Sequence, residues 1–218
     1  MILNRTSLPN AFVVWGVLLV GAMVSQCFAE SPRASARDAL TSVRVLNHAW
    51  NLENNAMLRS RAFAVKADQE GYGPVASLFR AAAQSQRVHA RNLAIALGKL
   101  GQRPEVILEN IEVNATAENL RAEIALHSNY VVEDFLWMVA ALKGENFVAA
   151  KRAMGDASGT ETSLVNYFKE AAEHLGTSRN TDRVTYYVCH QCGYMTRRVN
   201  FQVCNVCYHF RAKHEAVS

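Results

Sequence analysis

Four cysteines near the carboxyl end of this 218-residue chain constrain its fold more than any other feature. They follow the pattern Cys-x2-Cys-x11-Cys-x2-Cys and are Cys189, Cys192, Cys204 and Cys207. The short spacing within each pair predicts a tight turn that points both sulfurs at one ion. A hairpin between the pairs would then close a tetrahedral site. Such a site suits Zn(II), which would be structural, or a single Fe, which would be a one-electron carrier.

The alternatives for these four thiols are two disulfides, or free thiols in a reducing compartment. The spacing favours a metal over both, because two such Cys-x2-Cys pairs are typical of metal sites rather than of a disulfide framework. The fifth cysteine, Cys27, lies far from the other four, near the amino end.

The first 29 residues predict an export signal. Arg5 precedes an apolar run over residues 11–24, and Ala29 offers a small residue at which cleavage could occur. We therefore expect an exported, periplasmic protein. The alternative is a single membrane anchor, because only two polar residues interrupt the apolar character between the run and Ala29.

The middle of the chain predicts a helical bundle. Apolar residues recur at helical spacing in four main segments, and the second and third are separated by a long connection over 101–114. Two helices, a long crossover and two more helices are typical of ferritin-like connectivity. The segments are about 35–70, 74–100, 116–143 and 160–175.

A short extra helix is expected before the fourth main segment. The stretch "GDASG" (155–159) predicts a break between the two, because it combines two glycines with a helix-disfavouring aspartate.

Charge argues against a nucleic-acid partner. The net charge of +4 is small, and its lysines and arginines are scattered along the chain. Nucleic-acid binding would favour a basic stripe or an aromatic and basic platform, and the sequence has neither.

The tail carries a family resemblance. The stretches "YYVCHQCGY" (186–194) and "CNVCYHFRAKHE" (204–215) resemble the rubredoxin-like tail of rubrerythrins, although Tyr208 stands where a small residue is common. "AFAVKADQEGYGPVASLFRAAA" (62–83) and "TAENLRAEI" (116–124) are similar to stretches of that family's bundle.

The resemblance covers roughly residues 40–214 and implies a mainly α fold. It places a ferritin-like four-helix bundle at 35–176 and a small rubredoxin-like β module at 184–216. It further implies a homo-oligomer, a carboxylate-bridged diiron centre in the bundle, and iron in the tail that passes electrons to that centre for peroxide reduction. The chain would then be a peroxidase or related oxidoreductase with a redox partner. The rival hypothesis is a non-catalytic interaction protein whose tail is held together by zinc.

Helical phase decides which candidate ligands of the bundle face inward. Glu53 lies on the apolar stripe of the first helix, and His89 and His127 lie on the stripes of the second and third. Gln86 stands where the family has a glutamate. On the third helix, His127 and Tyr130 stand where the family has two glutamates, and Tyr130 lies at the edge of the stripe.

The string "EAAEH" (170–174) resembles a ligand motif of the family, but Glu170 and Glu173 lie opposite the apolar stripe of their helix, and we expect both to be solvated. Glu53, His89 and His127 then supply too few anions for a diiron site. They fit a mononuclear non-haem Fe(II) site of two histidines and one carboxylate. The alternative is a hydrogen-bonded polar cluster without metal.

Overall fold

The computed structural model describes residues 32–129, 134–142, 147–198 and 200–218. The predicted export segment over 1–29 lies outside the described residues, as does Tyr130. In the part of the chain that is described, no helix has both the length and the apolar character required to cross a membrane.

The described chain is mainly helical, and the predicted fold class of a ferritin-like bundle with a small C-terminal β module is confirmed. A long helical pair comes first, and its two members pack along each other. An extended connection follows, and then the remaining helices. The helices are α1 (Pro32–Gln69), α2 (Gly73–Lys99), α3 (Thr116–Asn129), α4 (Phe135–Ala141) and α5 (Val148–Glu173).

The break expected at 155–159 is wrong, because α5 runs through this stretch without interruption. A glycine inside a helix costs about 1 kcal/mol relative to alanine, and burial of the apolar face of α5 outweighs that cost. Gly159 also has a packing role. A Cβ at this position would lie 2.9 Å from Cγ1 of Val206, so the glycine lets the tail approach the helix closely.

The bundle core consists of two apolar clusters. One contains Phe63, Phe79 and Phe168, and the other contains Leu46 and Leu97. On each of α1, α2 and α5, a short stretch carries buried polar side chains. Residues of one apolar cluster precede this stretch, and residues of the other cluster follow it. The polar side chains therefore form a layer between the two apolar clusters.

The tail adds a three-stranded antiparallel sheet in the order β2-β1-β3. Its strands are β1 (Tyr186–Cys189), β2 (Met195–Thr196) and β3 (His214–Val217). Side chains of β1 and β2 belong to the same apolar cluster as Phe63 and Phe79 of the helices. The four-cysteine module is therefore held against the bundle by a shared core.

Asparagines of α1 hold the long connection in an extended conformation. Asn51 donates from Nδ2 to the carbonyl oxygen of Glu105 (2.7 Å) and accepts at Oδ1 from the amide of Ile107 (2.7 Å). Asn55 donates to the carbonyl oxygen of Ile107 (2.8 Å), and Asn47 accepts from the amide of Glu105 (2.9 Å). These bonds replace the strand partner that an extended segment would otherwise need.

Substitution of Asn51 tests this arrangement. We expect Asn51→Ala to lower the free energy of unfolding by about 1–2 kcal/mol, because two backbone groups of the connection lose their partners. The matched control is Asn54→Ala on the same helix, since Asn54 makes no side-chain hydrogen bond within the described residues. It should change stability by less than about 0.5 kcal/mol. Urea titration measures both, and equal effects would show that the asparagine bonds do not stabilise the connection.

Candidate metal centres

The four cysteine sulfurs converge at one point. The Sγ atoms of Cys189 and Cys207 are 3.6 Å apart, and those of Cys192 and Cys204 are 3.5 Å apart. All four lie within 4.8 Å of one another, and none is in a disulfide. A tetrahedral ion with metal–sulfur bonds of about 2.3 Å places its sulfurs about 3.8 Å apart. The arrangement therefore fits a single four-coordinate metal.

The two halves of this site have matching backbones. The amide of Gly193 donates to the carbonyl oxygen of Cys189 (2.9 Å), and the amide of Tyr208 donates to that of Cys204 (3.0 Å). Gly193 and Tyr208 each follow the second cysteine of a pair, and both have a left-handed backbone, with φ of 80° and 59°. A residue with a side chain therefore occupies a glycine-type position in the second half.

The pKa values of the thiols also bear on whether a cation binds here. Hydrogen bonds from the Cys189 and Cys192 thiols, and then from the backbone amides of Cys207 and Val206, lower the pKa of Cys204. Burial raises the pKa of Cys207 to about 12. One thiolate is thus favoured by its surroundings, whereas four neighbouring thiolates require a bound cation to offset their mutual repulsion.

The bundle contains a layer of buried polar side chains from four helices. Each lies on the inward face of its helix, and each is at most 4% exposed. The members are Glu53 of α1, Gln86 and His89 of α2, Glu123 and His127 of α3, and Thr160 and Glu161 of α5.

The tautomer of His89 follows from its contacts. Its Nε2 lies 3.0 Å from the carbonyl oxygen of Cys192 and 3.0 Å from the hydroxyl of Thr160. The Thr160 hydroxyl donates to the carbonyl oxygen of Ala157 (2.8 Å), so it accepts from His89. Two acceptors at Nε2 place a proton there. Nδ1 therefore points into the polar layer.

At Nδ1 the histidine meets a carboxylate. Oε1 of Glu53 lies 3.2 Å from Nδ1 of His89, yet neither atom has a hydrogen-bond partner among the described residues. Together with Glu161, these residues offer three ligand atoms within 4.8 Å of one another. Burial raises the pKa of Glu53. Burial alone would lower the pKa of His89, but the charge of Glu53 raises it overall. A carboxylate and a ring nitrogen that face each other in the interior are stabilised by a positive charge between them, which a proton or a metal ion can supply.

His127 has a different environment. Its Nδ1 lies 2.6 Å from Oε2 of Glu161, and its Nε2 lies 3.0 Å from Oε2 of Glu123. Both partners are carboxylates, so both ring nitrogens donate and the ring is an imidazolium. Burial opposes this charge, but Glu161 and Glu123 together raise the pKa of His127 to about 10. Arg59 binds the other oxygen of Glu123 through Nε (3.0 Å).

The structure thus places the predicted bundle residues in two adjoining groups. Glu53 and His89 come together, whereas His127 contacts Glu161, Glu123 and, at 3.4 Å, the side-chain nitrogen of Gln86. Metal binding by the predicted ligands in the tail and the bundle stays a prediction.

At the surface, Glu170 binds Arg197, and Glu173 is exposed, as helical phase predicts.

Two buried carboxylates were missed by sequence reasoning. Glu161 lies in phase with Leu164 and Phe168, but the expected break at 155–159 separated it from the interior of its helix. Glu123 lies one turn before His127, in the middle of α3, and is buried. Continuous helical phase across α5 is the signal that could have found Glu161.

A small cavity of about 130 Å³ reaches the polar layer. Glu53 and His127 form its inner wall, Leu52 and Leu126 contribute apolar surface, and Arg59 is among its polar lining residues. Since liquid water takes about 30 Å³ per molecule, the cavity admits only very small molecules.

Comparisons with known proteins agree with this architecture. The sequence profile of the family described as Rubrerythrin matches residues 44–172. The chain belongs to the rubrerythrin family. It is 28% identical to a protein assigned to the rubrerythrins in Methanocaldococcus jannaschii, over 71% of this chain and 81% of that protein. It is 21% identical to Rubrerythrin-2 of Clostridium acetobutylicum, over 79% of this chain and 94% of that protein.

Solved structures show the same fold. Nigerythrin in a mixed-valence state superimposes with a TM-score of 0.73 and 19% identity, covering 80% of this chain and 86% of that one. A Desulfovibrio desulfuricans bacterioferritin, solved with its diiron site in different catalytic states, gives 0.62 and 18% identity, covering 67% of this chain and 91% of that one. With the cysteine cluster, family membership makes this protein a rubrerythrin-like metalloprotein.

Ferritin-like dimetal sites use one glutamate from each of two helices and a Glu-x-x-His pair from each of the other two. This rubrerythrin departs from that pattern on α2 and α5, and on α3 His127 stands at a position where the family has a glutamate. On α2 the pair is Gln86 with His89, and on α5 it is Glu161 with Leu164. One carboxylate and one imidazole of the general pattern are thus replaced by groups that carry no charge.

The two left-handed positions of the cysteine site should respond oppositely to substitution. Tyr208→Gly should stabilise the metal-bound protein by about 0.5–1 kcal/mol, because Tyr208 is 76% exposed and its left-handed backbone is strained. Gly193→Ala should destabilise it by about 1–3 kcal/mol, because the new Cβ would collide with the His89 ring. Urea midpoints measure both changes, and a loss of stability in Tyr208→Gly would refute the strain at that position.

Proposed function

We propose that this protein is a redox rubrerythrin in which iron in the tail delivers electrons to a metal site in the bundle, with peroxide as the substrate. The observation that carries the proposal is the 3.0 Å hydrogen bond from Nε2 of His89 to the carbonyl oxygen of Cys192. It joins a candidate ligand of the bundle to a candidate ligand of the tail within one chain.

The residues of the chain support distinct parts of this function. Iron held by the four thiolates would supply the one-electron chemistry. His89 orients its Nδ1 towards Glu53 because its Nε2 is held by Cys192 and Thr160. The apolar clusters cover the layer on both sides, and the small cavity next to Glu53 admits a molecule of the size of peroxide.

The reaction also determines the partners. Reduction of one peroxide molecule to two waters consumes two electrons and two protons, so the tail would be reduced twice in each cycle by a donor protein. Export to the periplasm through the 1–29 segment and assembly into a homo-oligomer complete the proposal, and no nucleic acid takes part.

Anaerobic reduction of the purified protein tests the proposal. We expect red protein with iron in the tail, whose reduced form is reoxidised on mixing with hydrogen peroxide in a stopped-flow spectrometer. His89→Ala should slow this reoxidation about tenfold or more and leave the thiolate absorption unchanged. Glu173→Gln, at an exposed position of α5, is the control and should react like the wild type.

Two outcomes would contradict the redox function. One is a colourless protein that contains only zinc, which would favour the non-catalytic hypothesis. The other is reoxidation by peroxide at the same rate in His89→Ala, which would show that the tail does not act through the bundle.

A further inference from the structure

We propose that the bundle of this rubrerythrin binds one divalent transition-metal ion, through Glu53, His89 and Glu161, and that the His127 side chain occupies the place of a second ion. The inference deepens the proposed function, on which it rests for the presence of a bundle metal, by defining the site that electrons from the tail would reach. It departs from the two-metal arrangement of ferritin-like proteins.

The three proposed ligands have unused buried atoms. Oε1 of Glu53, Nδ1 of His89 and Oε1 of Glu161 are buried, and none has a hydrogen-bond partner in the described part of the chain. Each such atom costs about 1–3 kcal/mol if it stays unpaired. The three residues come from α1, α2 and α5, and their ligand atoms lie within 4.8 Å of one another. An ion at bond lengths of about 2.0–2.2 Å would satisfy all three after small side-chain movements.

His127 has no atom free to join them. Nδ1 is bonded to Glu161 and Nε2 to Glu123, so neither nitrogen has a lone pair for a metal. The ring lies between two carboxylates and is bonded to both, so it holds a positive charge where a second ion would lie. Oε2 of Glu161 is therefore used by His127, and Oε1 remains for the proposed ion.

The charges of the polar layer also favour a single ion in the bundle. The buried layer has three carboxylates, Glu53, Glu123 and Glu161, and two of them are bonded to cationic side chains, His127 and Arg59. No arginine or imidazolium is bonded to Glu53 in this way among the described residues, and the ring of His89 faces it at 3.2 Å. A divalent ion would replace the proton between these two groups, whereas a second ion would meet the neutral side chains of Gln86 and Leu164.

Iron stoichiometry of the full-length protein tests the inference. Metal-free protein titrated anaerobically with Fe(II) should bind two ions per chain, one in the tail and one in the bundle. Glu53→Gln and Glu161→Gln should each bind one and keep the thiolate absorption of the tail. Three ions per chain in the wild type, or a single ion confined to the tail, would overturn the proposal.

Two substitutions of His127 test whether its side chain is a metal ligand or a buried cation in place of a second ion. His127→Gln should still bind one bundle ion, and its loss would identify His127 as a ligand and refute the proposal. His127→Glu removes the cation and adds a carboxylate. It should raise the total to three ions per chain and, on partial oxidation, give the EPR signal of a spin-coupled mixed-valence pair.

One contrary result is a His127→Glu protein that is folded, as its circular dichroism spectrum shows, but binds only two ions. That result would show that His127 does not occupy the position of a second ion. If that variant does not fold, the count for His127→Gln still decides between ligand and cation. Zinc in the tail, or reoxidation that does not depend on His89, would refute the redox function. Neither result would change the number of ions in the bundle, so the two failures are distinguishable.

Discussion

The burial of three carboxylates between helices is the constraint on which the rest of this structure depends. A charged group without a partner in a protein interior costs several kcal/mol, so each carboxylate requires a nearby positive charge. Glu123 is bonded to Arg59 and His127, Glu161 is bonded to His127, and Glu53 lies 3.2 Å from the ring of His89. The polar layer can therefore persist between two apolar clusters only if its charges are matched locally.

The position of the tail depends on the same layer. His89 directs Nδ1 at Glu53 because Cys192 and Thr160 accept hydrogen bonds from its other nitrogen. That contact needs a backbone without a side chain at Gly193, and the approach of Val206 to α5 needs the same at Gly159. Two glycines thus bring the cysteine module close enough to take part in the geometry of the bundle.

The sequence predicted the parts of this architecture that local spacing determines. The cysteine spacing predicted a convergent site, helical phase placed Glu53 and His89 inside, and it placed Glu170 and Glu173 at the surface. It did not predict Glu161, because glycines near that residue resemble a helix end and only packing against other helices keeps α5 continuous. Nor did it reveal that His127 lies between two carboxylates, since the contact with Glu161 joins α3 and α5 across the bundle, although Glu123 is only one turn away on the same helix.

The asparagines of α1 join two different periodicities. Four residues of helix rise about 6.0 Å, and two residues of extended chain span about 6.6 Å. Asn47, Asn51 and Asn55 are four apart, and the backbone groups that they bind, at Glu105, Ile107 and Glu109, are two apart. The two repeats coincide closely enough to form a ladder over three steps. Insertion of one residue between Glu105 and Glu109 would turn every later backbone group to the wrong side, so this stretch does not tolerate a change of one residue.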